Sequence, residues 1–336
     1  MFQLDAVKLE DIANKLNISV STVSRALNGK GRVSERTRTR VREAVQESNY
    51  TVNAIARSLR LRNGQNIGIV VPDISNGFFA SVIKGAQQIC RDNGYTLMVC
   101  NSDESSEYEE EALQRLLEKQ VSGLILASVN DKLDIIQQYM RMGIPVVLID
   151  NVPEDAGMCD VVSIDNFAAA RDLTQAVIAR GYRKIGIITG PCEQPTGVLR
   201  YKGFVQALDD AGIALNPDWV MEGDFRIESG YEKMQQLLKL ANRPHAIICA
   251  NNYMTYGAIN AIRDARMRIP EDVAVAAFDA MDHTGLITPK ITSINQPARD
   301  IGKSAAEIIM KHLLQGINEE PINIILKPSF SKGSSW

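Results

Sequence analysis

Apolar residues recur along this chain in two different rhythms. Between residues 8 and 28, KLEDIANKLNISVSTVSRALN, positions Leu9, Ile12, Ala13 and Leu16 fall at i, i+3, i+4 and i+7, one stripe of an amphipathic helix. Asn17 follows, a residue that tolerates the left-handed backbone of a sharp corner. Ser19 then offers a side-chain oxygen to cap a second helix. On that helix Val23, Ala26 and Leu27 share one arc, while Val20, Ser21, Ser24 and Arg25 point the other way. After the loop GKGRV, Ser34 is placed to cap a third helix, ERTRTRVREAVQESN, with Val41, Ala44 and Val45 facing inward and its arginines outward. The pattern predicts a three-helix head ending near Tyr50.

From residue 66 the rhythm changes. Short apolar runs (NIGIVV, TLMVC, GLILA, IPVVLI) alternate with helical stretches such as FFASVIKGAQQICRDNG and EEEALQRLLEKQ. Apolar runs without polar alternation are typical of parallel strands covered on both faces, and strand–helix alternation predicts a doubly wound α/β sheet. The same order restarts at KIGIITG and runs through HAIICANN to VAVAAFD, so two similar lobes are expected to face each other across a cleft. Ligands of such sheets bind beyond the carboxyl ends of the strands. Polar residues there include Asp73 through Phe79, Asp103, Asp150, Thr189 with Gly190, Asn251 and Asp279.

Charge separates the two regions. Residues 1–64 hold 12 Lys/Arg against 6 Asp/Glu, a net of +6, whereas the rest holds 25 against 34, a net of −9; the overall −3 conceals this. The outward face of the second helix is small, hydroxylated and carries arginine. That composition suits a major-groove reader, with close approach, hydroxyl bonds to phosphate and a guanidinium fork for base edges. A plain amphipathic hairpin has the same periodicity and is equally compatible with it. The basic head on an acidic body favours DNA binding confined to the head.

Residues 8–50, followed by TVNAIARSLR, resemble the DNA-binding head of the lactose-repressor (LacI-type) family of bacterial transcription regulators, and the similarity covers about residues 7–330. One departure is Asn17, where the family usually has glycine. The resemblance implies a helix-turn-helix head over 1–50 and a hinge over 51–65. It further implies a periplasmic-binding-protein-like body of two doubly wound parallel sheets over 66–330. Lobe 1 is expected at about 66–164 and 295–318, and lobe 2 at about 165–294 and 319–330. It assigns Val20, Ser21 and Arg25 to base edges and Ser19, Thr22, Ser24 and Asn28 to phosphates. Asn53, Ala56 and Leu59 fall in the hinge, where the family places a leucine wedged into a minor-groove step. Read from its residues alone, a flexible basic tether ringed by Arg57, Arg60 and Arg62 is the lesser alternative, since eight residues form no stable helix alone in water.

The same resemblance places Asn76, Phe78, Phe79, Asp150, Arg200, Phe225, Asn251, Asp279 and Gln296 around an effector in the cleft. Carboxylates and amides suit several hydroxyls, and aromatic faces suit a ring, so the implied effector is a monosaccharide or derivative. Phe78 and Phe79 also read as core, Asp279 as a helix cap and Asp150 as a loop carboxylate. Asn252 departs from the family's usual aspartate and is not expected to be a contact. The loop GPCEQPT differs from common family versions and borders the cleft.

Other classes find little support. The chain has no GxxxxGK[ST] loop, no G-x-G-x-x-G opening its first body helix and no G-x-S-x-G elbow, so no enzyme and no cofactor is expected. His245, His283 and His312 lack ligand spacing among themselves or with the cysteines, so no metal is expected. No apolar run reaches eighteen residues, and the N-terminal MFQLDAVKLED lacks a secretory pattern. With five scattered cysteines, free thiols in the cytoplasm are expected. One head reads one half-site, so a homodimer on a pseudo-palindromic operator follows. The segment PSFSKGSSW is too short and polar for a coiled coil that would make a tetramer.

Overall fold

The structure, a computed structural model, describes residues 9–20, 22–23, 26, 33–47, 65–129, 134–153, 156–157, 159–280, 285, 287–317 and 320–336. The chain forms two compact units, residues 1–62 and 63–336.

In the first unit, α1 (Leu9–Leu16) and α2 (Glu35–Glu47) flank a stretch whose described residues 20, 22, 23 and 26 are helical. Ala13, Val23, Ala26, Val41 and Ala44 are buried together, with Leu16, Ile18 and Val33 packed on them. Asn17 adopts φ 52°, the left-handed corner expected of it. The Ser19 hydroxyl accepts a hydrogen bond from the Thr22 N–H at 3.1 Å. Ser34 does the same for Thr37 at 3.3 Å. Both serines therefore cap helices, satisfying amide groups that the first turn leaves without intrahelical partners.

The second unit carries two six-stranded sheets. Its chain runs through β1 (Asn66–Val71), α3 (Gly77–Asp92), β2 (Thr96–Asn101), α4 (Ser106–Glu118), β3 (Gly123–Leu126), α5 (Asp134–Arg141), β4 (Val146–Ile149) and β5 (Asp160–Ile164). It continues through α6 (Asn166–Ala179), β6 (Ile185–Thr189), α7 (Pro195–Asp210), β7 (Val220–Glu222), α8 (Ile227–Lys239), β8 (Ala246–Cys249), α9 (Asn252–Asp264) and β9 (Ala274–Phe278). β10 (Thr292–Asn295), α10 (Ala298–Gln315), β11 (Asn323–Leu326) and β12 (Ser329–Ser331) complete it. The first sheet, β11-β5-β4-β3-β1-β2, is parallel throughout. The second, β12-β10-β9-β8-β6-β7, is parallel except for β12.

Successive strand residues feed opposite faces. Ile67, Ile69 and Val71 pack with α3 and α10, whereas Val70, Leu124 and Leu126 pack with α4 and α5. In the second lobe Ile187 joins the layer of α6 and α7, and Ile188 joins that of α8 and α9. Both faces are apolar because both are covered. α3 and α10 cross with backbones nearly touching: a Cβ on Gly302 would lie 1.9 Å from the Val82 carbonyl oxygen. A buried His312–Asp160 pair, Nε2 to Oδ2 at 2.7 Å, ties α10 to β5, and the other carboxylate oxygen accepts the Ile322 N–H.

The last passage between lobes differs from the sequence-based division. Residues 319–330 do not all belong to lobe 2, because β11 pairs with β5 in the first sheet and only β12 joins the second. The residues NIIL look alike for either sheet edge, and only the partner strand decides. The end of the chain folds onto lobe 2: Ser335 bridges Thr292 and Val275, and Trp336 is buried against Phe330. Cys90, Cys159 and Cys249 are buried thiols, whereas Cys192 is exposed.

Candidate functional site

The carboxyl ends of both sheets face one cavity, and all nine cleft residues singled out in the sequence line it. Asn76 caps α3, its Oδ1 accepting the Phe78 N–H at 3.0 Å, and this fixes the turn that presents the two phenylalanines. Phe78 and Phe79 meet edge-to-face at 5.0 Å. Phe79 is both cavity wall and core, so the two sequence readings of this residue are compatible. Asn251 caps α9 by accepting the Met254 N–H and donates to the Phe225 carbonyl at 2.8 Å. Phe225 itself sits at φ 67°, and its ring rests against Gly190, where a Cβ would come within 2.0 Å of it. Asp150 (φ 59°), Asp279 (φ 55°) and Glu104 (φ 55°) share this left-handed backbone. Such strain in non-glycine residues gathers at ligand clamps.

Charge is concentrated and buried. Arg200 donates to Asn166 Oδ1 at 2.8 Å and to the Ala250 carbonyl at 2.6 Å, with its guanidinium 4.4 Å over the Phe278 ring. Burial lowers its affinity for the proton, an effect opposed by the charges of Asp150 and Asp279. Asp279 accepts both the backbone and side-chain amides of Gln296, at 2.7 and 2.8 Å. Burial pushes the Asp150 carboxyl up to about 6 against the pull of Arg200, and the Asp279 carboxyl shifts upward for the same reason. Burial likewise pushes Glu104 up to about 7, opposed by a hydrogen bond from Gln194.

Five further polar residues line the cavity that were not expected there: Glu104, Asn151, Gln194, Thr196 and Asn252. Asn151 accepts from the Thr196 hydroxyl at 2.6 Å and donates to Gln194 at 3.1 Å, stitching β4 to the start of α7. Asn252, discounted in the sequence, is buried against Asn76, with which it makes a reciprocal pair of bonds. Gln194 and Thr196 belong to the GPCEQPT loop and Glu104 adjoins Asp103, so their neighbourhood was visible although their side-chain directions were not. Direct bonds also join the lobes at Ser75–Tyr253 (2.9 Å) and from Arg226 to the Asp103 carbonyl (2.9 Å). The cavity is partly open and offers about 40 Å³, room for a few water molecules at roughly 10–15 Å³ apiece. A six-membered ring needs more room than this arrangement of the lobes leaves.

In the first unit, Val20 is exposed beside Ser19 and Thr22, and Val23 and Ala26 are buried, so the expected outward face is the accessible one where it is described. Ser19 and Thr22 share a hydroxyl–hydroxyl bond of 2.8 Å. Ser21, Ser24, Arg25, Asn28, Asn53, Ala56 and Leu59 lie outside the described residues.

Residues 8–53 match the bacterial regulatory proteins of the lacI family, and residues 64–332 match the periplasmic binding proteins and sugar binding domain of the LacI family. This chain belongs to the LacI family. LacI-family relatives include the HTH-type transcriptional repressor PurR of Aliivibrio salmonicida (strain LFI1238), 34% identical over 317 residues covering 94% of each chain. Among solved structures, the lac repressor dimer bound to operator and the anti-inducer ONPF is 26% identical with a TM-score of 0.87. It covers 98% of this chain and 99% of that one. The transcriptional regulator CelR–cellobiose complex is 28% identical with a TM-score of 0.75, covering 98% and 100%. The protein is a LacI-family DNA-binding transcriptional repressor with an effector-binding body, and the family is not enzymatic. LacI-family regulators bind operator DNA as dimers and respond to a small effector. No described helix is long and apolar enough to cross a membrane.

Proposed function

We propose that this LacI-family protein represses transcription in the cytoplasm as a homodimer on a pseudo-palindromic operator, and that a monosaccharide or close derivative in the cleft releases it. The observation that carries the reading is the convergence of Asp150, Arg200, Asp279 and Gln296 with Phe78, Phe79 and Phe225 in one interlobe cavity. Fixed carboxylates and amides match a polyol, and ring faces match its C–H surface. The solved relatives whose descriptions name cellobiose or bound ribose lend the sugar class support. Exposed Ile74, Val99 and Tyr108 on lobe 1 offer apolar surface for a second subunit.

The interlobe bonds define one lobe arrangement. An effector that occupies the cleft breaks some of them and stabilises another arrangement, and it shifts the balance only through its different affinity for the two. Residues 51–65, between head and body, carry that change to the DNA. Paired hinges then place Leu59 in the minor groove and the recognition helices one turn apart in the major groove.

The test is a mobility-shift titration on an operator selected from random pseudo-palindromes, with and without a panel of sugars. Specific binding relieved by one sugar supports the reading. Binding that is sequence-blind and only salt-sensitive removes operator recognition, and relief by purines but no sugar removes the effector class. Arg25→Ala should cost about 1–3 kcal/mol of operator affinity and relax one base-pair position.

A further inference from the structure

The cleft is short of positive charge and of donors. Three carboxylates, from Glu104, Asp150 and Asp279, line a cavity in which Arg200 is the one cationic side chain among the described residues. Arg200 is already engaged by Asn166, the Ala250 carbonyl and the Phe278 ring. Gln296 is 7% exposed and lines the same cavity, and its Oε1 has no hydrogen-bond partner among the described residues. Its amide nitrogen is spent on Asp279, so the atom left over is an acceptor. A buried acceptor without a donor costs free energy, and a ligand that donates removes that cost.

Glu104 is the group that makes the balance unusual. It follows β2 in a left-handed backbone conformation that anchors it, its N–H bonding the Pro72 carbonyl at 3.3 Å. It meets Gln194 from the opposite lobe at 3.3 Å. Arg200 offsets only one of the two carboxylate charges of Asp150 and Asp279. Glu104 adds a third carboxyl to a lining whose acidic groups already outnumber its one cation.

We propose that the effector carries a protonated amine as well as hydroxyls, an amino sugar or aminopolyol, and that Glu104 is the specificity-determining residue that receives the ammonium group. This rests on the cleft being the effector site. The ammonium donates to the Glu104 carboxylate, and hydroxyls donate to Gln296 Oε1 and Asp150. Without ligand, Glu104 holds its proton near neutrality because burial and the charges of Asp150 and Asp73 outweigh the Gln194 bond and Arg226. Binding an already protonated amine ionises Glu104 and releases that proton to the buffer.

The experiment is isothermal titration of the full-length protein at pH 7 with glucosamine, galactosamine and mannosamine. Each is paired with its parent hexose and its N-acetyl derivative, in two buffers of different ionisation enthalpy. At least one amine should bind about tenfold or more tightly than both neutral partners, as expected for one charge-assisted hydrogen bond. Proton release should accompany binding. In Glu104→Gln that preference should shrink about tenfold and the proton release should vanish. The comparison on the unmodified protein stands whether or not the variant folds. If a neutral hexose or N-acetyl sugar binds as tightly as its amine, the inference is overturned while the sugar reading survives. An amine preference undiminished in a folded Glu104→Gln overturns the role of Glu104. If no sugar of either kind binds, both readings fall together.

Discussion

Asn76 of lobe 1 and Asn252 of lobe 2 exchange two hydrogen bonds across the cleft, 3.1 Å in one direction and 2.8 Å in the other, both buried. Each amide thereby supplies a donor and an acceptor, a self-complementary pair that an aspartate at residue 252 cannot form while ionised. The pair is a latch between the ends of α3 and α9. Replacing Asn252 by alanine leaves the buried side-chain nitrogen of Asn76 without the acceptor it has here, which costs about 1–3 kcal/mol. Urea unfolding of the full chain should show that loss, and small-angle scattering should show more open lobes. An unchanged denaturation midpoint would mean the latch contributes nothing.

Arg200 should be intolerant of change for two reasons. Alanine removes the cation that faces Asp150 and Asp279 and leaves Asn166 and the Ala250 carbonyl without the donors that Arg200 supplies. Breaking such an arrangement costs about 3–5 kcal/mol. Lysine keeps the charge but not the fork or the stacking on Phe278, so Arg200→Lys should fold and bind operator while losing most of its effector response in the mobility-shift titration.

Gly190 makes room for Phe225. A side-chain carbon there would strike the ring at 2.0 Å, so Gly190→Ala should push the ring out of position. Overpacking of this kind costs about 1–3 kcal/mol, and the effector's midpoint should rise with operator affinity unaltered. Retained effector affinity would show that the Phe225 ring is not a contact.

Stability should depend on pH in an identifiable direction. Glu104 and Asp150 release their protons near 7 and 6 in the folded protein, against 4.5 and 3.8 ordinarily. Between these limits the folded state binds more protons than the unfolded chain, so its stability falls as pH rises. The contribution is complete below about 4 and is lost progressively up to about 7. The urea midpoint should therefore decline from pH 5 to pH 7.5, and Glu104→Gln should flatten the upper part of that decline.

Ser19 caps the corner and lies on the face proposed to meet DNA. Ser19→Ala removes the acceptor for the Thr22 N–H, and loss of such a cap costs about 0.5–2 kcal/mol of helix stability. Operator binding should weaken, with the defect partly restored by Ser19→Asn, which caps equally well. A failure of asparagine to restore any binding would assign the hydroxyl to the DNA instead.

The head was legible in detail because its signals are local. Helical periodicity, the left-handed tolerance of Asn17 and the hydroxyls of Ser19 and Ser34 act over three or four residues, and each does in the structure what its chemistry suggested. The nine cleft residues were legible through the family resemblance, because strand ends in a doubly wound sheet all point to one side. Glu104 and Asn252 were not. Asp103 and Glu104 are adjacent and equally polar, and which of the two enters the cavity depends on a backbone turn that no spacing reveals. Asn252 was not expected as a contact, because its partner lies 176 residues away.

What the residues alone determined is the set of elements and their covered faces: apolar runs call for helices on both sides, and a basic head on an acidic body favours a polyanion as its partner. Only the tertiary structure decided which edge β11 joins, which loop side chains meet across the cleft, and how much charge the cavity leaves unbalanced. Those outcomes depend on distances between residues far apart in sequence. Burial then alters the energy of every carboxylate and amide it encloses, and no local pattern records it.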